Sequence, residues 1–261
     1  MLRASDITKE YIEKSACGRR SVCRAVDGVS LEFEEDSIYS LVGESGSGKS
    51  TLSRILAYVE RPTGGALALD GKPVAAYSRK ELRQQRKSIQ LVMQDGQSSL
   101  DPRQTVAQSL AEPMKNLLDL GKEERNARAH DLIRRVGLPD ELLSRFPHEL
   151  SGGQQKRVCI ARAISVSPRL IIFDESLSGL DVTLRKQILD LLLELKAEIR
   201  CSYLLVTHDL DVALYLSQHI LVMKEGKIVE KTANVKSHND LRHEYSRALV
   251  KALLSKRHAL I

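Results

Sequence analysis

The feature that most constrains the fold of this chain is a glycine-rich segment that follows a short run of β-favouring residues. Residues 38–42 are typical of a buried parallel strand, and residues 43–50 read GESGSGKS, which fits the pattern G-x-x-x-x-G-K-[ST]. A helical pattern begins directly afterwards. Glycines let the backbone N–H groups of such a loop turn towards a polyphosphate, and the start of the helix adds a partial positive charge. The segment therefore predicts a phosphate-binding loop and a nucleoside triphosphate as its ligand.

Individual side chains of this loop have separate predicted roles. Lys49 is expected to reach the β- and γ-phosphates, and the Ser50 hydroxyl is expected to ligate Mg²⁺. The loop residues predicted to surround the nucleotide are Gly43, Glu44, Ser45, Gly46, Ser47, Gly48, Lys49, Ser50 and Thr51.

Apolar strand patterns alternate with helical patterns along the chain, which predicts an α/β fold with a doubly wound, mostly parallel sheet. In such sheets the ligand binds at the carboxyl ends of the strands. Four predicted strands end in polar or loop-forming residues: Gly43, Gln94, Asp174 and His208. This convergence favours one nucleotide site built from several strands.

The strand ends also indicate the chemistry. Asp174 is expected to hold Mg²⁺, directly or through water, and Glu175 is placed to polarise a water for attack on the γ-phosphorus. The alternative for Glu175 is an acid that favours a helix dipole. His208 is expected to contact the γ-phosphate, although a single histidine at a strand end is more often structural. Gln94 either ligates Mg²⁺ or orders the water, and Tyr11 either stacks on the adenine or simply packs.

Local patterns place the remaining elements. The opening segment, to about residue 35, indicates β-structure with Tyr11 at the end of a short run, and a hairpin is predicted around residues 224–227. Capping-box spacing predicts helix starts at Ser78, Thr105 and Ser151. Residues 105 to about 146 are predicted to be a helical insert, and the tail from residue 234 is predicted to be helical and polar.

Composition narrows the class of protein. The chain has 261 residues, 42% of them hydrophobic and 28% charged, as in a soluble globular protein. Its net charge of +6 is spread along the chain, which favours a solvated surface, or one facing anionic lipid, over a nucleic-acid site. Aromatic residues are only 4% and tryptophan is absent, which argues against a stacking platform for single strands.

Other residue types exclude several alternatives. The cysteines form no C-x-x-C pair and indicate reduced thiols in a cytosolic protein. The most apolar stretch, residues 188–199, contains four charged residues, so no bilayer-spanning helix is expected. His238 and His243 lack a third ligand nearby, which argues against a metal site. Work at a membrane would therefore require a partner.

Several motifs in order carry a family resemblance. After the phosphate loop come LSGGQ at residues 150–154, IIFDE at 171–175, SGLD at 178–181 and THD at 207–209. With these motifs the chain resembles the ATP-binding subunit of ABC transporters over nearly its whole length. The resemblance implies a P-loop (RecA-like) core, an N-terminal antiparallel β-subdomain and an inserted α-helical subdomain.

The resemblance also implies roles and boundaries. It implies ATP and Mg²⁺ as cofactors. It assigns Tyr11 to the A-loop, Gln94 to the Q-loop and Asp181 to the D-loop. Glu175 is implied as the catalytic base, and His208 as the switch histidine. The signature residues expected to meet the ATP of a second subunit are Ser151, Gly152, Gly153 and Gln154. The implied parts of this single ABC ATPase domain are the β-subdomain with the first half of the core (1–94), the helical subdomain (95–165), the second half of the core (166–233) and the tail (234–261).

Two further stretches resemble a narrower group. Residues 94–103 look like the QDP-x-x-SL-[ND]-PR segment of oligopeptide, dipeptide and nickel importer ATPases, and residues 243–249 look like their HPYT-[RK]-AL tail. This implies a second ATPase subunit, identical or different, two transmembrane permeases and an extracytoplasmic substrate-binding protein. The expected location is peripheral, at the cytoplasmic face of the inner membrane, and no nucleic acid is expected as a partner. Peptide, nickel and metal chelates all remain open as cargo.

The sequence departs from the family's usual motifs at two places. The common DEPTSALD reads DESLSGLD at residues 174–181, which is expected to relax the turn after the base, and Gly96 replaces a usual proline.

A soluble ABC ATPase that acts on nucleic acid or the ribosome is the alternative function. Such proteins usually carry two cassettes or a long coiled-coil insert, and neither is seen. A metabolic P-loop kinase is disfavoured by the LSGGQ and D-loop motifs.

Overall fold

The computed structural model describes residues 1–14, 20–93, 99–177 and 179–258. The strands, in chain order, are β1 (Leu2–Lys14), β2 (Arg20–Glu32), β3 (Ile38–Val42), β4 (Gly64–Leu69), β5 (Lys72–Pro73), β6 (Ile89–Val92), β7 (Leu170–Asp174), β8 (Ser202–Thr207), β9 (His219–Lys224) and β10 (Lys227–Ala233). The α-helices are α1 (Lys49–Leu56), α2 (Arg79–Gln85), α3 (Val106–Pro113), α4 (Lys122–Arg135), α5 (Gly152–Ile164), α6 (Val182–Ile199), α7 (Leu210–Leu216) and α8 (Glu244–His258).

The chain divides into two compact units. The first unit consists of Met1–Tyr77 with Leu204–Ile261, and the second consists of Ser78–Tyr203. The alternation of strands and helices makes the fold α/β, as predicted. The four-part division into subdomains stays a prediction.

In the first unit, a long hairpin forms one sheet with the order β2-β1-β4-β5. Strands β1 and β2 pair from Arg3↔Glu32 to Lys14↔Arg20. This confirms β-structure in the opening segment, but the prediction that Tyr11 ends a short run is wrong. The strand continues to Lys14 because the hairpin partner extends the pairing beyond Tyr11, which lies opposite Cys23.

In the second sheet, the strands of this unit lie in the order β10-β9-β3-β8. Strand β3 is buried at all five residues and pairs in parallel with β9, from Tyr39↔His219 to Val42↔Val222. Strands β9 and β10 form the predicted hairpin. Such continuous burial is expected for a parallel strand with both faces covered.

The tail packs on this sheet. An apolar cluster joins β3, α7 and β9, and apolar residues of α8 pack against it. The cluster contains Val42, Leu210, Ala213, Ile220, Val222, Val235 and Leu241, and the α8 residues on it are Tyr245, Leu249, Val250 and Leu253. The helical prediction is confirmed for α8, but the prediction of a polar tail is wrong, because a four-residue apolar spacing gives this helix a core-facing stripe.

The second unit holds the predicted insert and helices. Strand β6 pairs in parallel with β7, from Ile89↔Leu170 to Val92↔Phe173. Reciprocal capping boxes begin helices at Ser78, Thr105 and Ser151, as predicted. Across the described ranges, no helix is both long and apolar enough to cross a membrane.

Candidate active site

The phosphate loop lies between β3 and α1 and depends on two close backbone approaches. A Cβ atom on Gly43 would lie 2.2 Å from the Met223 carbonyl oxygen, and one on Gly48 would lie 2.0 Å from the Ala25 carbonyl oxygen. Gly48 also has a φ of 102° and is the N-cap residue of α1. Only glycine fits these positions. The loop is therefore packed directly onto the backbone of β2 and β9.

Lys49 lies inside this loop. Its side chain is only 3% exposed, and its ammonium donates hydrogen bonds to the carbonyl oxygens of Gly43 (3.0 Å) and Glu44 (2.7 Å). The first turn of α1, KSTL, contains no acidic residue. A buried cation at a helix N-terminus favours an anion, and a polyphosphate has the matching charge.

The rest of the loop varies in exposure. Its tip, Glu44, Ser45 and Gly46, is exposed, Ser47 and Thr51 are buried, and Gly48 and Ser50 are intermediate. The N–H of Gly226, in the turn between β9 and β10, donates to the Ser47 carbonyl oxygen (3.0 Å). This hydrogen bond fixes the loop at Ser47, while the loop tip stays exposed.

Tyr11 belongs to a polar cluster centred on Glu60. The carboxylate of Glu60 accepts a hydrogen bond from the Tyr11 hydroxyl (2.6 Å) and forms ion pairs with Lys9 (3.0 Å) and Arg54 (3.2 Å). Burial acts to raise the pKa of Glu60, but the hydrogen bonds from these three partners outweigh it and hold the pKa below its ordinary value. The cluster fixes the Tyr11 hydroxyl, and stacking of its ring on adenine stays a prediction.

His208 follows β8, which neighbours β3 in the sheet. Its side chain is exposed. The carboxylate of Asp209 caps α7 by accepting the N–H groups of Asp211 (3.0 Å) and Val212 (3.3 Å). His208 is therefore held at a rigid junction of strand and helix, in the same unit as the phosphate loop.

Asp174 and Glu175 lie at the end of β7 in the second unit. Asp174 is buried at 8% exposure, and Glu175 has a φ of 44°, in the left-handed region that non-glycine residues rarely adopt. The Ser176 hydroxyl is buried and has no hydrogen-bond partner among the described residues. A proline at residue 176 would restrict the backbone of Glu175, so the serine is compatible with this unusual conformation.

The signature segment begins α5. The Ser151 hydroxyl accepts the N–H of Gln154 (3.3 Å), and the Gln154 side-chain oxygen accepts the N–H of Ser151 (2.9 Å). Gly152 is exposed, and a Cβ atom on it would meet no described atom within 4 Å. On Gly153 a Cβ atom would come 2.9 Å from the Leu184 side chain. One glycine therefore leaves the helix start open, and the other lets α6 pack closely.

Asp181 is the N-cap residue of α6, and its carboxylate accepts the N–H of Leu184 (2.9 Å). Gln94 lies outside the described residues.

The predicted magnesium donors suit the ion chemically. Ser50, Asp174 and Gln94 would supply hydroxyl, carboxylate and amide oxygens, which are the hard ligands that Mg²⁺ prefers. Within the described part of the chain, no three His, Cys, Asp or Glu residues are grouped so as to hold a metal. Such a donor set suits an ion that is bound jointly with a nucleotide phosphate.

Sequence reasoning missed the support around the loop. The cluster of Lys9, Arg54 and Glu60 beside Tyr11 joins residues far apart in the chain, and no local pattern marked it. Tyr245 of α8 contacts the loop through the backbone N–H of Glu44 (3.3 Å). Tyr245 lies in the HEYSRAL stretch at residues 243–249, which resembles the tail of the importer ATPases, but that resemblance gave Tyr245 no role.

A glycine loop closed over a buried lysine at a helix start defines the class of P-loop nucleotide-binding proteins. Comparison with known proteins narrows that class. The sequence model of the family described as ABC transporter matches residues 26–178. The chain is 39% identical to the dipeptide transport ATP-binding protein DppF of Escherichia coli, over 97% of this chain and 76% of that protein. It is 40% identical to the nickel import ATP-binding protein NikE of Rhodospirillum rubrum, over 99% of this chain and 93% of that protein.

Solved structures agree in fold. The dimeric structure of MJ0796, a bacterial ABC transporter cassette, matches with a TM-score of 0.79 and 31% identity. The dimeric post-hydrolysis state of the same cassette, bound to ADP and Pi, matches with a TM-score of 0.78 and 29% identity. Each match covers 90% of this chain and 99% of the other. This chain belongs to the ABC transporter family, as an ATP-binding and ATP-hydrolysing importer subunit.

Proposed function

We propose that this chain is one of two ATPase subunits that power uptake of a peptide, nickel or metal-chelate substrate through two partner permeases. It would act peripherally at the cytoplasmic face of the inner membrane, with an extracytoplasmic binding protein delivering the cargo. The likeness to both DppF and NikE over nearly the whole chain carries this proposal.

Nucleotide binding would rest mainly on the first unit. The buried Lys49 ammonium would exchange its contacts with loop carbonyls for contacts with the β- and γ-phosphates. The N–H groups of the loop and of the α1 start would hold the remaining phosphate oxygens. Tyr11, fixed through Glu60, would offer its ring to the adenine.

Hydrolysis would depend on Glu175 and His208. Glu175 would polarise the attacking water, and His208 would contact the γ-phosphate. Ser50, Asp174 and Gln94 would hold Mg²⁺, which neutralises charge on the phosphate oxygens when bound.

A second ATPase subunit would complete each site. The open start of α5, at Ser151 and Gly152, would face the phosphates of ATP held by the partner subunit. Asp181, which caps α6, would lie in the D-loop of the same interface. ATP would then join the two subunits, and hydrolysis would loosen their contact.

Purification of the chain from its native host in mild detergent tests the transport role. Recovery of two permeases with a second ABC ATPase is the expected result, and an associated binding protein would indicate the cargo. Recovery of only soluble partners, such as ribosomes or DNA, would leave the ATPase chemistry intact and contradict the transport proposal.

Replacement of the proposed base tests the mechanism. Glu175→Gln should retain ATP binding and lower the hydrolysis rate by about 10²–10⁴-fold, because a general base typically contributes that much. The measurement is phosphate release together with the Kd for ATP. Glu194→Gln, at an exposed position on α6, is the matched control and should hydrolyse ATP normally. Normal turnover in Glu175→Gln would remove Glu175 as the base.

A further inference from the structure

The tail helix α8 reaches the phosphate loop through Tyr245. The backbone N–H of Glu44 donates a hydrogen bond to the Tyr245 hydroxyl oxygen (3.3 Å). Glu44 is the second residue of the loop, and its carbonyl oxygen accepts a hydrogen bond from Lys49 (2.7 Å). Both backbone polar groups of Glu44 are therefore held, one by the loop lysine and one by the tail.

The ring of Tyr245 lies beside the end of β9, the strand whose backbone also packs against the phosphate loop. The Lys224 ammonium lies 5.1 Å from the centre of the ring, at the end of β9. The preceding residue, Met223, provides the carbonyl oxygen against which Gly43 packs. Tyr245 also packs against the apolar cluster that includes Val42, the residue directly before the loop. A half-buried ring with these contacts presents its hydroxyl to Glu44 in a defined position.

The start of α8 is anchored independently of Tyr245. The carboxylate of Glu230, on β10, accepts the N–H of Arg242 (2.6 Å). Burial acts to raise the pKa of Glu230, but hydrogen bonding to its carboxylate, including that from the Arg242 N–H, outweighs burial and holds the pKa below its ordinary value. The anchor therefore stays ionised at neutral pH and fixes the helix start beside the loop.

The Tyr245 hydroxyl keeps its proton. Burial raises the pKa of this hydroxyl most strongly, the Glu44 N–H lowers it by less, and the Glu44 carboxylate raises it, so the pKa lies above its ordinary value. A neutral hydroxyl accepts one hydrogen bond and donates another. It can thus take the Glu44 N–H and still donate its own proton.

We propose that Tyr245 is a positioning residue for ATP, whose hydroxyl fixes the Glu44 amide and so holds the start of the phosphate loop in its binding conformation. The contact spans 201 positions of the chain, so it couples the tail directly to nucleotide affinity. The inference rests on the proposed binding of ATP at this loop and is independent of the cargo. A loop held before binding loses less conformational freedom when the ligand arrives.

The test is Tyr245→Phe in the full chain, which removes the hydroxyl and keeps the ring. The Kd and KM for ATP should rise about two- to tenfold with kcat unchanged, the range expected for the loss of one neutral hydrogen bond. Hydrogen exchange of the Glu44 amide should become faster. Tyr203→Phe is the matched control, since that buried hydroxyl has no partner among the described residues, and it should leave the Kd unchanged.

A second variant separates positioning from stability. Leu249→Ala loosens the packing of α8 but keeps the Tyr245 hydroxyl, so it should lower Tm with little change in the Kd. An unchanged Kd in Tyr245→Phe would overturn the proposal. The proposal would also be overturned if Tyr245→Phe and Leu249→Ala lowered Tm equally and raised the Kd for ATP equally. Failure of the unaltered chain to bind ATP would instead contradict the proposed nucleotide site.

Discussion

Two glycine-containing helix starts, those of α1 and α5, are built differently. Helix α1 begins after Gly48, which has no side chain to cap it, and its first residue is the buried Lys49. Helix α5 begins after Ser151, whose hydroxyl and backbone form a reciprocal capping box with Gln154. Both starts carry the partial positive charge of a helix N-terminus.

The two starts differ in capping and in the charge beside them. At α1 no side chain caps the helix start, and the chain supplies a cation beside it. At α5 the Gln154 N–H already has a partner, while the surface over Gly152 is open. The first start suits a phosphate held by its own chain. The second suits a phosphate presented by another molecule.

The largest expected difference between the two starts appears when one methyl group is added to each. Gly48→Ala should abolish ATP binding and destabilise the chain, because a left-handed alanine costs about 1–3 kcal/mol and its Cβ would meet the Ala25 carbonyl. Gly152→Ala should keep ATP binding and change stability by less than about 1 kcal/mol. The checks are thermal unfolding and the Kd for ATP. Equal loss of binding in both variants would remove the distinction between the two starts.

Removal of the loop cation is the next largest change. Lys49→Ala should weaken ATP binding about 100-fold or more, since the ammonium would exchange its two loop contacts for contacts with the β- and γ-phosphates and each hydrogen bond to a charged group contributes about 1.5–3 kcal/mol. Titration calorimetry with ATP measures this. Lys122→Ala, at the exposed start of α4, is the control and should bind normally. Retained affinity in Lys49→Ala would contradict the assignment of the loop.

The smallest effect concerns pH. The folded-state pKa of Glu230 is lowered, so its contribution to stability is complete above the unfolded-state pKa of about 4.3 and is lost as the pH falls through the lower folded-state value. The difference in Tm between the unaltered chain and Glu230→Gln should stay constant from about pH 7 to 5 and decrease as the pH falls below the unfolded-state pKa.

A matched measurement sharpens this comparison. Ser151→Ala should cost about 1 kcal/mol at every pH, because the capping box of α5 contains no titrating side chain. A pH-dependent cost for Ser151→Ala, or a pH-independent one for Glu230→Gln, would contradict the proposed supports.

Local signals explain what could be predicted. The phosphate loop and the capping boxes at Ser78, Thr105 and Ser151 depend on residues within a few positions of each other, and all were predicted correctly. The roles of Glu175 and Gln94 in catalysis stay predictions.

Distant contacts explain what could not. The length of β1 is set by its pairing with β2, so the position of Tyr11 within the strand followed from its partner and not from its own run. Tyr245, Leu249 and Leu253 lie four residues apart, and this stripe could have indicated that α8 packs. Its contact with Glu44 has no local signature, because the partner lies 201 positions away.

The division of the chain has a consequence for the order of synthesis. The second unit is one continuous stretch, Ser78–Tyr203, and can fold while the ribosome is still working. The first unit needs Leu204 and later residues to complete its sheet, and β3 lacks its neighbours β8 and β9 until they emerge. The phosphate loop is therefore translated early but finished late, when Tyr245 arrives.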